Sequence, residues 1–197
     1  MNPQTYIFIG RSGCGKGTQA ELLEKYLESE GDQIFYLESG AKFRNFVSQS
    51  GYTAKLSNDI MKRGELQPAF LAIHIWSHLM IEQMDEKKHL MIDGTPRKLD
   101  EAKILDGALK FYGRAKPKII YINVSDEWSI ARLEGRSRTD DKSLAEVKKR
   151  LAWFQTDVMP VLEFYKNNPD YDFLDINGEQ TIKQVQQEIL NKLGANN

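Results

Sequence analysis

The chain has 197 residues, 41% of them hydrophobic, and 27 Lys and Arg against 28 Asp and Glu give a formal net charge of −1. That length bounds one domain with small insertions, and so even a charge balance gives no global pull towards nucleic acid or an anionic membrane. One cysteine excludes an internal disulfide framework and a Cys-based zinc site within the chain, the N-terminus does not read as a signal peptide, and no apolar run approaches the ~20 residues that span a bilayer, so a soluble, cytoplasmic protein is expected.

The first element is a strand at 6–9 that stops at Gly10. Gly13, Gly15, Lys16 and Gly17 follow, and a helical pattern sets in at Gln19. A strand, a Gly-rich loop and a helix N-terminus together build an anion cradle. Glycines let backbone N–H groups approach phosphate oxygens, the helix start adds positive potential, and Lys16 neutralises the β/γ-phosphates. The spacing G-x4-G-K fits a P-loop, with Gly17 where Ser or Thr is usual and the hydroxyl one place later at Thr18. Mg²⁺ is therefore expected to be held through water and phosphate rather than by a loop hydroxyl. Cys14 reads as an alanine-like filler of the loop.

Further strand-like runs lie at 34–37, 89–92, 119–124 and 171–176, with helical patterns between them. Several are continuously apolar, as strands covered on both faces should be. The alternation predicts a doubly wound α/β fold around a five-stranded parallel sheet, with ligands at the carboxyl ends of the strands. Pro68 suits the first turn of a helix over 69–84, apolar on several sides and so expected to be buried, with His74 and His78 in packing or hydrogen-bonding roles rather than on a metal. Ser143 with Glu146 reads as a capping box for the next helix, and Met159-Pro160 should kink or restart it. Trp153, Phe154, Phe164 and Tyr165 read as core. Segments 40–67 and 132–141 fall outside the sheet pattern and read as mobile flaps on one domain, 1–197.

Arginines recur after each expected phosphate-facing element: Arg44, Arg97, Arg132, Arg136, Arg138 and Arg150. Transfer of a phosphoryl group between two polyanions needs alignment and a dense guanidinium shell more than covalent chemistry from the protein.

With these arginines in place, the chain resembles the adenylate kinases, or a close relative among the nucleoside monophosphate kinases of the short-lid form. The likeness covers nearly the whole length. Gly10 to Gln19 is similar to the family's phosphate loop, and Ser39-Gly40 with Arg44 to the start of its acceptor flap. Gly64-Glu65-Leu66-Gln67-Pro68 matches the acceptor-base turn, and Asp93-Gly94-Thr95-Pro96-Arg97 the Asp-Gly-aromatic-Pro-Arg signature. Arg138-Thr139-Asp140-Asp141, Arg150-Leu151 and Pro160 match the lid and the helix after it. The resemblance implies that Lys16 and the amides of Gly13, Cys14, Gly15, Gly17 and Thr18 hold the donor ATP, and that Asp93 organises the waters of Mg²⁺. It implies that Arg44 and Arg97 clamp the acceptor phosphate, Arg132 stacks on the donor base, Arg138 and Arg150 bridge the two phosphate chains, and Arg136 is a further lid residue. Asp140 and Asp141 would pair with lid arginines, and Gly178 would offer a backbone contact near the donor adenine. Ser39, Gly40, Glu65, Leu66, Gln67, Gly94, Thr95, Pro96 and Glu101 complete the acceptor side. The implied partners are ATP and a nucleoside monophosphate, most simply AMP, for a monomer without zinc. A UMP/CMP kinase, or a regulatory protein that binds nucleotide without transfer, stand as alternatives.

Four positions depart from the family pattern. Ala41 replaces an aspartate, Thr95 the signature aromatic, Gln67 a hydrophobic residue, and Glu101 a glutamine that reads the acceptor adenine edge. A carboxylate only accepts hydrogen bonds, whereas an amide both donates and accepts. Glu101 thus suits the exocyclic amine of AMP or CMP and leaves a ring acceptor unpaired, at roughly 1–3 kcal/mol if dry. Only a few residues separate Arg132 from Arg138, so so small a lid predicts loose donor choice. Rates with ATP, GTP and CTP should fall within about a thousandfold of one another, and a larger ATP preference defeats the expectation.

Overall fold

The computed structural model describes residues 3–134 and 144–195. Arg136, Arg138, Asp140, Asp141 and the Ser143 half of the expected capping box lie outside the described residues. Strands β1 (Thr5–Gly10), β2 (Ile34–Glu38), β3 (His89–Asp93), β4 (Lys118–Asn123) and β5 (Asp172–Asn177) form one sheet in the order β2-β3-β1-β4-β5, every pair parallel. β1, β2 and β3 extend the expected apolar runs by one residue at one or both ends, while β4 is shifted one residue towards the N-terminus and β5 one residue towards the C-terminus.

Both faces of the sheet are covered, which is why its strands show no polar alternation. From β1, Ile7 and Ile9 enter one core while Tyr6 and Phe8 enter the other; on β4, Ile119 and Tyr121 divide from Ile120 and Ile122 in the same way. The first core is closed by α4 (Ala69–Gln83), α5 (Leu99–Phe111) and α8 (Met159–Lys166), through Trp76, Leu105 and Tyr165 among others. The second is closed by α1 (Lys16–Ser29) and α9 (Ile182–Leu193), through Leu23 and Ile189. At about 25 cal/mol per Å² of apolar surface removed from water, these two cores supply the main drive to fold.

Outside the sheet, α2 (Ser39–Val47) and α3 (Tyr52–Lys62) occupy the 40–67 segment, while α6 (Asp126–Glu134) and α7 (Leu144–Trp153) flank 135–143. From Phe154 to Val158 the chain winds as a π-helical turn, and α8 restarts at Met159-Pro160, where proline sits in the first turn. The break falls where the missing N–H of proline predicts it.

Two expectations are corrected. Pro68 is the residue before α4 rather than part of its first turn. The apolar surround of α4 does not bury it on all sides: Leu71, Ala72, Trp76 and Met80 face inward, but Phe70 is 69% and Ile81 75% exposed. His74 and His78 sit on the exposed side, stacked on each other at 6.0 Å, with His78 3.3 Å from Glu82. Among the described residues no helix is long and apolar enough to cross a membrane.

Gly178, just after β5, is buried and donates its N–H to the Asn123 carbonyl at 2.8 Å. A Cβ there would stand 2.5 Å from Val124 Cγ1 and 2.6 Å from Ile122 Cγ2. Gly178→Ala should therefore overpack this junction and lower stability by about 1–3 kcal/mol in urea unfolding; an unchanged midpoint would contradict the packing described.

Candidate active site

The carboxyl ends of β1 and β3 lie side by side, with Phe8 in register with Asp93. That register sets the loop after β1 against the loop after β3, the crevice in which open α/β sheets bind ligands. A cleft of about 770 Å³ opens there. Its walls include Gly13, Gly15, Lys16, Gly17 and Thr18 from the P-loop, Ser39, Gly40 and Arg44 from α2, and Glu65, Leu66 and Gln67 from the turn after α3. Asp93 to Arg97, Glu101, Arg132 and Arg150 complete it. Of the site residues expected from sequence, Cys14 and Gly178 are not in the wall, and Arg136 and Arg138 lie outside the described residues.

Lys16, Arg44, Arg97 and Arg132 each have a specific partner. The Lys16 ammonium donates to the carbonyls of Gly10 at 2.8 Å and Arg11 at 3.0 Å. The buried Cys14 thiol lies 3.7 Å from that ammonium. Arg44 pairs with Glu38 at 2.9 Å, the carboxylate that ends β2. Arg97 donates from Nε to the Gly94 carbonyl at 2.6 Å, and its guanidinium sits 5.7 Å from the centre of the Trp153 ring. Arg132 lies 6.0 Å from the Trp128 ring centre.

Asp93, at the end of β3, is buried, and a Cβ on Gly17 would meet its Oδ2 at 3.6 Å. The carboxylate thus sits beside the first turn of α1. The chain reverses at Gly94 with φ +85°, where a Cβ would come within 2.7 Å of Ser39 Oγ. Only glycine combines that left-handed backbone with so close an approach. Ser39 Oγ in turn donates to the Asp93 carbonyl at 3.2 Å, which joins the start of α2 to the end of β3.

Two of the departures from the family pattern prove to be partners. Thr95 donates its hydroxyl to Glu101 Oε2 at 2.8 Å, and the Arg97 backbone N–H reaches the same oxygen at 3.4 Å. No hydrogen bond among the described residues takes up Oε1, and Glu101, only 3% exposed, lines the cleft. Burial holds its carboxyl above the ordinary glutamate value, against the pull of the Thr95 hydroxyl and the Arg97 charge. A third departure is occupied elsewhere: Gln67 donates to the Ser57 carbonyl and accepts from the Ser57 hydroxyl, both at 2.9 Å, so its amide pins the turn to α3.

Sequence reasoning missed two groups. Arg11, inside the P-loop, pairs with Asp126 at the start of α6 at 2.7 Å and lies 4.5 Å from the ring centre of Phe154. Trp153, read as core, forms part of the cleft wall beside Gly64 and Val158. No local sequence signal marks it, because its place in the wall rests on long-range contacts with Gly64 and Arg97.

A P-loop on the first helix of a parallel sheet, facing further cations across one crevice, places the chain among the P-loop nucleoside monophosphate kinases. A family model described as Adenylate kinase matches residues 8–169. The chain is 29% identical over 189 residues to "Adenylate kinase 1" of Nostoc sp., covering 96% of this chain and 98% of that one. It is 30% identical over 187 residues to an adenylate kinase of Prochlorococcus marinus, covering 95% and 97%, and 28% identical over 222 to one of Rickettsia bellii, covering 96% and 99%. The chain belongs to the adenylate kinase family.

The raised Glu101 value carries a pH signature. Its contribution to stability is fully present below the unfolded-state value, ~4.3, and is lost as pH rises through the higher native value. Glu101→Gln should therefore be more stable than the parent at pH 7–8, and the gap should close as pH falls towards 4. A gap that stays constant or widens in acid would show that Glu101 is not strained by burial.

Proposed function

We propose that the chain catalyses reversible phosphoryl transfer from Mg·ATP to AMP, giving two ADP. The observation that carries this reading is one cleft walled by Lys16 and by Arg44, Arg97, Arg132 and Arg150, delivered by five separate elements. A protein that merely binds ATP has no need of a second phosphate clamp.

In this reading the amides of the P-loop and Lys16 hold the β- and γ-phosphates of the donor. Arg44 and Arg97 hold the acceptor phosphate, bidentately where the fork of the guanidinium permits. Arg150 and, outside the described residues, Arg138 lie between the two phosphate chains and stabilise charge as it moves, and Arg132 faces the donor base. The acceptor phosphate oxygen is already a nucleophile, so no side chain needs to form a covalent intermediate. Glu38, the Gly10 and Arg11 carbonyls and the Gly94 carbonyl hold these cations in the cleft until phosphate oxygens compete for them.

The residues present suit Mg²⁺. Asp93 offers one buried carboxylate beside Gly17, whose lack of a side chain leaves room for water. Among the described residues no cluster of three or more His, Cys, Asp or Glu forms a cage. One carboxylate acting with substrate phosphates and water is the usual Mg²⁺ setting. Such an ion neutralises charge on the transferring group. Segments 40–67 and 132–141 would close over acceptor and donor, exclude water and reopen to release product. A monomer in a cytoplasmic setting is the expectation from the sequence that accompanies this reading.

The free oxygen of Glu101 favours an acceptor base with an exocyclic amine at the position of adenine N6 or cytosine N4, where guanine and uracil carry a carbonyl oxygen. In a coupled assay with ATP, AMP should be the best acceptor, CMP the next, and UMP, dTMP and GMP slower. Transfer to none of the five would overturn the kinase reading, and a preference for UMP would overturn the role given to Glu101.

A further inference from the structure

The turn after α3 touches the far side of the cleft through two neighbouring carbonyls. α3 ends in a capped turn: Gly64, at φ +69°, donates its N–H to the Met61 carbonyl at 3.0 Å, and Glu65 donates to the Ile60 carbonyl at 3.3 Å. These are the paired bonds of a Schellman motif, which satisfy the turn's own N–H groups and leave the Arg63 and Gly64 carbonyls for partners outside it. Both carbonyls are taken by one face of α7. Lys149 Nζ donates to the Arg63 carbonyl at 3.4 Å, and Trp153 Nε1 donates to the Gly64 carbonyl at 3.2 Å. Residues four apart on a helix share a face, so the two contacts form one seam.

Trp153 makes a second contact with a different part of its ring. Its N–H edge holds Gly64 while its π-face lies under the Arg97 guanidinium, and an indole offers a donor at the edge and negative potential on the face at once. The ring is steered from behind. Phe154, the next residue, is buried in the core under Arg11, and the π-helical turn begins there. Three residues before Trp153 on the same helix stands Arg150. One side chain thus joins the acceptor-side turn 63–67, Arg97, and the helix that delivers Arg150.

We propose that Trp153, supported by Lys149, is a positioning residue for acceptor binding: it fixes the 63–67 turn and Arg97 relative to Arg150, so that base and phosphate of the acceptor meet a preassembled wall. The inference rests on the acceptor reading of this side of the cleft. The seam's two hydrogen bonds go to Arg63 and Gly64 and none to the P-loop, so its loss should fall mainly on the acceptor.

The test is Trp153→Phe, which keeps the aromatic face and deletes the N–H, beside Trp153→Leu, which removes both. Each is measured for KM of AMP, KM of ATP and kcat, and for AMP and ATP binding by calorimetry. One lost hydrogen bond predicts that Trp153→Phe raises the KM and Kd of AMP about three- to tenfold, with the ATP values within about twofold of the parent. Trp153→Leu should raise the AMP values further and lower kcat, because Arg97 loses its support. A fall in thermal midpoint with the ratio of AMP to ATP constants unchanged would make Trp153 a packing residue only and overturn the proposal, as would equal losses for both nucleotides. Should Trp153→Leu fail to fold, Trp153→Phe decides alone. If the parent enzyme transfers to no monophosphate, the kinase reading fails, and the calorimetric AMP constants still decide whether the seam positions an acceptor.

Discussion

Five cations line one crevice, and holding like charges together without substrate is the constraint on which the rest of the structure depends. In a partly dry site such charges repel by kcal/mol amounts at close range. Four of the five have their partners in plain view: backbone carbonyls for Lys16, Glu38 for Arg44, the Gly94 carbonyl and an indole face for Arg97, and a second indole for Arg132. The carbonyls and Glu38 come from the strand ends and the loops that leave them, and the two indoles from α6 and α7. A rigid parallel sheet, buried on both faces, is what keeps them in place to within hydrogen-bonding tolerance.

On the proposed reading, the division of labour between acceptor and donor sides follows from strand order. β1 carries the P-loop and β3 carries Asp93 to Arg97, and because these strands are neighbours, their loops share a wall. α2 is tied to the end of β3 through Ser39, so Arg44 inherits the same reference frame. Arg11 performs a related task on the donor side, joining the P-loop to α6 and to the aromatic at the head of the π-helical turn.

The sheet and the P-loop were legible in the sequence because local rules write them: apolar runs bounded by glycine, then a helical repeat. The paired roles of Thr95 and Glu101 were not, since six residues of separation do not show that a strand-end loop turns one side chain onto the other. Gln67, expected on the acceptor side, has its amide committed to Ser57, a contact set by how α3 packs. Trp153 was read as core and does pack partly against it, but its indole N–H and ring face are engaged by Gly64 and Arg97, contacts between segments distant in sequence. The exposed Phe70 and Ile81 misled in the opposite sense, as a helix apolar all round still has an outer side when only one layer covers it.

The bond between Thr95 and Glu101 also constrains how this chain can change. Removing the hydroxyl alone would leave a buried carboxylate short of a donor, at roughly 1–3 kcal/mol. Restoring an amide alone would relieve the buried charge and still accept from the Thr95 hydroxyl. The two positions therefore impose an order on change: a route towards a different base preference opens at Glu101, and is obstructed if the hydroxyl of Thr95 is lost first.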